Sequence, residues 1–358
     1  MPSPPRSTIF CFVLPILTRM ATTAAAPLCP DTISTAGGGI PDSNEPPMVS
    51  AEAIREFQLA LFLENLESSY LQSGLQNIST WGTAGYPNDT TEVLSTIAAQ
   101  EEVHVATIAN LLNGYGAPVI APCQYSFPVA SIDEFIALGD IITSVGISAL
   151  IGLADRVSYT DPGIVNTVSS IVTVESRHDA FFRHVGGRVP NPAPFDTGIS
   201  SIWAYNLALP FIVPGSCPTE LPVPILPTLT VSAPTTADNR SSAATGIASS
   251  IAPYQNTTTG PATAANTTVV PSEMAFSWDP MQMPFVFEQG KQLFVGWTNQ
   301  LNVPVYTVLS IVGQGRGVAD VPQGLNGAVF AAVTSQLPDN DYDLALATLA
   351  GPVALSLS

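Results

Sequence analysis

Residues 90–113, TTEVLSTIAAQEEVHVATIANLLN, and residues 165–184, VNTVSSIVTVESRHDAFFRH, each place a Glu three positions before a His: Glu101 with His104, and Glu175 with His178. The chain has three histidines, and two of them sit in these matching units. On a helix, residues three apart share one face, so each unit aims a carboxylate and an imidazole at one point. Ile97, Glu101, His104, Ile108 and Leu111 form one stripe, and Ile164, Val168, Ile171, Glu175, His178 and Phe182 form another. Both units therefore interrupt apolar faces and point inward. Burying an unpaired carboxylate costs several kcal/mol, so four such groups at one level are expected to satisfy each other or a metal ion. Two helices of this kind facing each other supply half of a carboxylate-bridged dimetal site in a four-helix bundle.

Working outward, the first half of the chain reads as four long helices, at residues 51–75, 90–113, 131–156 and 161–184, with a shorter one at 199–209. Ser131 with Glu134 spells a capping box, Asp161 followed by Pro162 a helix start, and Gly114 a helix stop. A tight turn at 158–160 makes the last two long helices antiparallel neighbours. Residues 117–130 are Pro-rich and non-helical, long enough to travel the length of a bundle, as in ferritin-like connectivity with its one long crossover. Glu64 shares a stripe with Phe57, Leu61 and Leu71, with Glu67 as an alternate on a neighbouring face. At ~1.5 Å per residue, Glu64 and Glu101 both lie about 16 Å from the end their helices share. Reflecting Glu175 through the turn near Ser158 arrives at residues 141–143, where no carboxylate stands; Asp140 is nearest, up to a turn away. The expected metal ligands are Glu64, Glu101, His104, Glu175 and His178, one short of a complete set.

The charge balance is acidic, 28 Asp and Glu against 10 Lys and Arg, for a net charge of −18, with Lys291 the only lysine. Such a surface repels nucleic acid and anionic membranes and keeps a chain of mean hydropathy +0.30 in solution. Residues 1–26 read as a secretory signal: Arg6, an apolar run over 9–17, then small residues. That run is too short to span a bilayer, and no later stretch reaches the roughly 20 apolar residues a spanning helix needs. Sequons at Asn77, Asn88, Asn239, Asn256 and Asn266 fit an exported glycoprotein, secreted or held in a cell wall. Cys11 leaves with the signal. Cys123 and Cys217 flank the last two bundle helices and are expected to pair; Cys29 is then free, intermolecular, or the true partner of one of them.

Residues 218–271 turn to Pro, Thr, Ser, Ala and Asn and read as an exposed, glycosylated linker. Beyond it, strand-like runs at 274–278, 292–297, 305–312 and 328–333 alternate with Gly-rich breaks. The expected organisation is an all-α four-helix bundle of ferritin-like type at 45–217, the linker, and a smaller β-sandwich-like module at 272–358.

Residues 61–70, LFLENLESSY, with Glu101-Glu102-Val103-His104, residues 123–128, CQYSFP, and residues 174–178, VESRH, resemble the ferritin-like domain of secreted fungal stress-response and sexual-development proteins. Plant desiccation-related proteins share that domain. The resemblance covers about residues 51–218. It implies a ferritin-like bundle with metal ligands at the same five positions. Residues 142–149, ITSVGISA, look like the family's helix-three motif, in which a Glu commonly stands where Thr143 stands here. Activity across that family is poorly defined, so the resemblance implies a fold more than a reaction. The expected function is a secreted protein with a stress- or development-linked role, binding Fe or Mn and no organic cofactor. The alternative is a non-catalytic extracellular protectant with a metal-free polar core, whose β-module binds a wall polymer. Peroxide dismutation at a manganese pair is a third reading, and Thr143 weighs against it.

Overall fold

The computed structural model describes residues 28–42, 46–232, 272–282 and 290–357. The expected signal segment, most of the expected linker, and the sequons at Asn239, Asn256 and Asn266 lie outside them. In chain order the described elements are α1 (Pro30–Ala36), α2 (Ala51–Trp81), α3 (Thr90–Gly114), α4 (Ile132–Val157), α5 (Val165–Val185) and α6 (Ser201–Ala208), then strands with one short helix among them. Asn77 and Asn88 are both exposed.

Local chemistry starts the helices, with two departures from expectation. Ser131 Oγ caps α4 by accepting from the Glu134 amide, but the Glu134 carboxylate reaches back to the Ala130 amide, one residue earlier than a capping box would. Asp161 makes no cap bond to its own helix, and α5 follows a single 3₁₀ turn at Pro162–Ile164. Its carboxylate instead accepts from the amide and hydroxyl of Ser50, at 2.7 and 2.6 Å, while Ser50 Oγ caps α2 through the Ala53 amide. The residue expected to start one helix thus pins the α4–α5 turn to the start of another.

The connectivity is that of a ferritin-like bundle. The segment after α3 crosses along α2: Gln58 donates to the Pro118 carbonyl, buried Asn65 to the Ile120 carbonyl, and Phe127 meets the Tyr70 ring at 5.1 Å. Having travelled from the start of α2 towards its end, the chain enters α4 beside Trp81, whose ring lies 5.9 Å from Phe135. Gly74 makes that contact possible, since a Cβ there would overlap the Phe135 ring. Contrary to the expectation that no later stretch is long enough, α4 is long and apolar enough to cross a membrane; its most apolar window is 83% buried inside the protein, against α2, α5, α6 and the second sheet.

A disulfide joins Cys123 to Cys217, and no cysteine among the described residues is free. It ties the crossover to the segment after α6, where Tyr125 bridges Ile212 and the Ser126 amide donates to the Phe211 carbonyl. The bond closes a loop over a sequence separation of 94 residues. Its loss, by reduction or by Cys217→Ser, is expected to lower stability by about 2–4 kcal/mol, read as a shift in the urea midpoint.

The C-terminal region forms two antiparallel four-stranded sheets. One has the order β1 (Leu229–Ser232), β2 (Glu273–Trp278), β6 (Arg316–Asp320), β5 (Ser310–Gly313); the other has β4 (Val305–Val308), β3 (Phe294–Asn299), β7 (Gly327–Thr334), β8 (Thr348–Leu357). The short helix α7 (Asp341–Leu346) lies between β7 and β8. Val329, Ala331 and Val333 of β7 face the first sheet's core, with Phe276, Trp297 and Leu229. Phe330 and Ala332, on the opposite face, join the core of the bundle with Ala354, Leu344 and Ala345. The second sheet is therefore a middle layer, covered on both sides. Trp203 of α6 donates to Thr348 Oγ1, and Thr197 Oγ1 to the Ala328 carbonyl, fastening that layer to the helices.

Candidate metal centre

The two apolar stripes do what their spacing implies. On α3, Ile97, Glu101, His104 and Ile108 are buried; on α5, Val168, Ile171, Glu175, His178 and Phe182 are buried. α2 is buried all round in its middle, and Glu64 is 5% exposed there. The five expected residues meet at one level. His104 Nδ1 lies 3.0 Å from Glu175, 3.4 Å from Glu101 and 3.6 Å from Glu64. His178 Nδ1 lies 2.8 Å from Glu101 and 3.4 Å from Glu175. The two imidazole centroids are 6.2 Å apart, so Glu101 and Glu175 stand between them.

Those contacts are close without being hydrogen bonds. Glu64 Oε2, Glu101 Oε2, both Glu175 oxygens and Nδ1 of both histidines are fully buried, and none has a correctly aligned partner among the described residues. Ligand atoms of Glu64, Glu101, His104 and Glu175 all lie within 4.8 Å of one another. Atoms crowded around one point, aimed at it rather than at each other, are what a bound cation would satisfy. The donor set of carboxylates and imidazoles suits Fe, Mn or Zn rather than a soft thiophilic ion. Gln100, which sequence reasoning missed, adds a second partner: its Oε1 lies 2.7 Å from His178 Nε2. A carbonyl accepts only, so Nε2 carries a proton, and on binding a metal the ring would give up its other proton and offer the Nδ1 lone pair to the centre. Only the position of Gln100 one residue before Glu101 could have signalled it.

Two other residues weighed from the sequence fall differently. Thr143 is buried at the level where α4 should contribute, with no carboxylate to offer. Asp140 is not part of the centre. Its carboxylate faces the other way, 3.3 Å from Nη1 of the buried Arg183 and paired with the partly buried Arg188.

Without a cation the cluster must hold protons. Burial pulls the His178 imidazolium down, but the charge of Glu175 and close contact with Glu101 and Glu175 outweigh it and lift its pKa to about 10. His104 is raised for the same reasons, against burial, chiefly by the charge of Glu64. Burial lifts Glu64 to about 8, opposed by His104 and helped by Glu101 and Glu175. Burial also works against Glu101, yet its contacts with both histidines hold it well below the usual carboxylate range. The signs give a pH window. The stability His178 contributes is fully present below its ordinary value of 6.5 and is lost as pH rises through 10. Glu64, protonated in the fold up to about 8, loses stability in the same direction, while Glu101's contribution is lost only in acid. Chelator-stripped protein should therefore lose stability from pH 6.5 to 10. Metal affinity should rise over the same range, because binding releases these protons. Urea unfolding at pH 6, 8 and 10, with and without metal, checks both.

Among known proteins, residues 52–188 match the family model for the ferritin-like domain. Over a longer stretch the chain is similar to the protein rds1 of Schizosaccharomyces pombe, 26% identical over 334 residues, covering 84% of this chain and 80% of that protein. A match of that extent takes in part of the C-terminal sheets as well as the bundle.

Proposed function

We propose, from a ferritin-like domain at residues 52–188, that this chain is an exported metal-binding protein with a stress- or development-linked role, holding Fe or Mn with Glu64, Glu101, His104, Glu175 and His178. The observation that carries the reading is the set of buried carboxylate and imidazole atoms aimed at one point without hydrogen-bond partners. A metal ion there would supply Lewis acidity or one-electron redox chemistry. The chain's own part is to orient the donors, with Gln100 holding the His178 ring, and to exclude water with the apolar stripes of α3 and α5. Export is supported by the Cys123–Cys217 disulfide, which belongs to an oxidising compartment, and by the exposed sequons at Asn77 and Asn88. Elemental analysis of protein purified from its native source should find iron or manganese near stoichiometric. N-terminal sequencing and an endoglycosidase mobility shift test export.

A second reading is favoured by the electrostatics. The raised histidines and lowered Glu101 let the cluster neutralise itself with protons, a metal-free polar core that keeps the helices in register. The chain would then be an extracellular protectant, with its sheets turned to a wall polymer. Absence of metal from native protein, together with retention of the whole chain on a wall polysaccharide, would replace the first reading with this one.

A further inference from the structure

The geometry points to Glu67 as a sixth ligand, supplying from α2 the carboxylate that α4 lacks, so that the centre takes two divalent cations. This rests on the metal-binding reading above and adds to it a residue and a stoichiometry. Glu67 lies three residues after Glu64 on α2 and is 7% exposed. The charges acting on it are Glu175, Glu101, Glu64 and His104, the members of the centre. It shares with Glu64, Glu175 and Gly146 the lining of a cavity of about 20 Å³.

Gly146 explains why the carboxylate can sit there. It stands three residues after Thr143 on α4, and a Cβ at 146 would overlap Glu67 Oε1 and lie 3.2 Å from the carboxyl carbon. The α4 surface is hollowed one turn from the position where its own carboxylate is missing, and Glu67 occupies the hollow from across the bundle. On the other side of Glu67 the walls are apolar: Leu66, Ile141, Ile142 and Val145. A carboxylate in such a place costs several kcal/mol unless something cationic meets it. Charge balance completes the argument. Glu64, Glu67, Glu101 and Glu175 with two neutral imidazoles cancel two divalent cations, whereas three carboxylates leave a buried positive charge.

Anaerobic titration of the full chain with Co²⁺, followed by calorimetry and visible absorption, tests this. Wild-type protein should take up two ions per chain. Glu67→Gln should take up one, with affinity at the second site weakened ~100-fold or more, and metal-free E67Q should unfold no earlier than metal-free wild type. Adding Thr143→Glu to E67Q should restore the second ion, as a merely structural role for Glu67 would not. Two ions in E67Q at wild-type affinity, or one ion in wild-type protein, would overturn the assignment of Glu67 and leave the metal-binding reading standing. No ion in wild-type protein would overturn both.

Discussion

Changing His104 and His178 together to Ala should reduce the metal content of the purified protein from near stoichiometric to background. Both rings present Nδ1 to the centre from opposite sides of Glu101 and Glu175, so the pair removes a terminal donor from each half. The loss should exceed the ~10–100-fold fall in affinity expected when a ligand loses only its outer hydrogen-bond partner. Gln100→Ala supplies that milder comparison, because it leaves every ligand in place and frees only the His178 ring to turn. The double variant should still fold, since the carboxylates that lose their histidines can take up protons. Metal retained at wild-type levels in the double variant would place the ion elsewhere in the chain. Circular dichroism beside elemental analysis separates loss of metal from loss of fold.

Asp140→Ala should destabilise the protein by about 3–5 kcal/mol, the cost of leaving a buried charge without its partner. Arg183 is 1% exposed, donates to Val189 and Ser356 besides Asp140, and shares that carboxylate with Arg188. Arg188 also holds the Ser356 carbonyl, so Asp140 organises the seam between α4, α5 and the end of β8. Asp179 lies beside this network, but in the wild-type protein burial first, and the charge of Asp140 second, push its carboxyl well above the usual range while it accepts from Ser144 Oγ at 3.0 Å, so the arginines rely on Asp140. Urea unfolding followed by tryptophan fluorescence measures the change, and a shift below 1 kcal/mol would mean that the two arginines reach water, or that Asp179 ionises against them, when Asp140 is removed. Metal content should be unchanged in the folded variant, because this network is separate from the centre.

Both predictions show how legibility divides. The inward face of α5 was readable residue by residue, since Val168, Ile171, Glu175, His178 and Phe182 repeat with helical period and one side of that helix meets solvent. α2 is harder: it is buried all round from Leu59 to Ser68, so no polar face marks whether Glu64 or Glu67 looks inward. α4 was harder still. Its buried run says only that it is central, and nothing local shows that Asp140 turns to arginines 43 and 48 residues away instead of to the metal ligands. The strands of the second sheet had the same problem. β7 and β8 are covered on both faces, which erases the alternation that would have revealed their partners.

The sequence by itself determined the bundle, its long crossover and the level at which two carboxylates and two imidazoles meet, because helical periodicity and loop length are local properties written in neighbouring residues. Only the tertiary structure decided what completes that level. Whether a buried carboxylate meets an arginine, a histidine or a hollow beside a glycine depends on side chains from distant segments converging. Asp140 went to Arg183 and Arg188, Asp161 to Ser50, and Glu67 to the space that Gly146 leaves open.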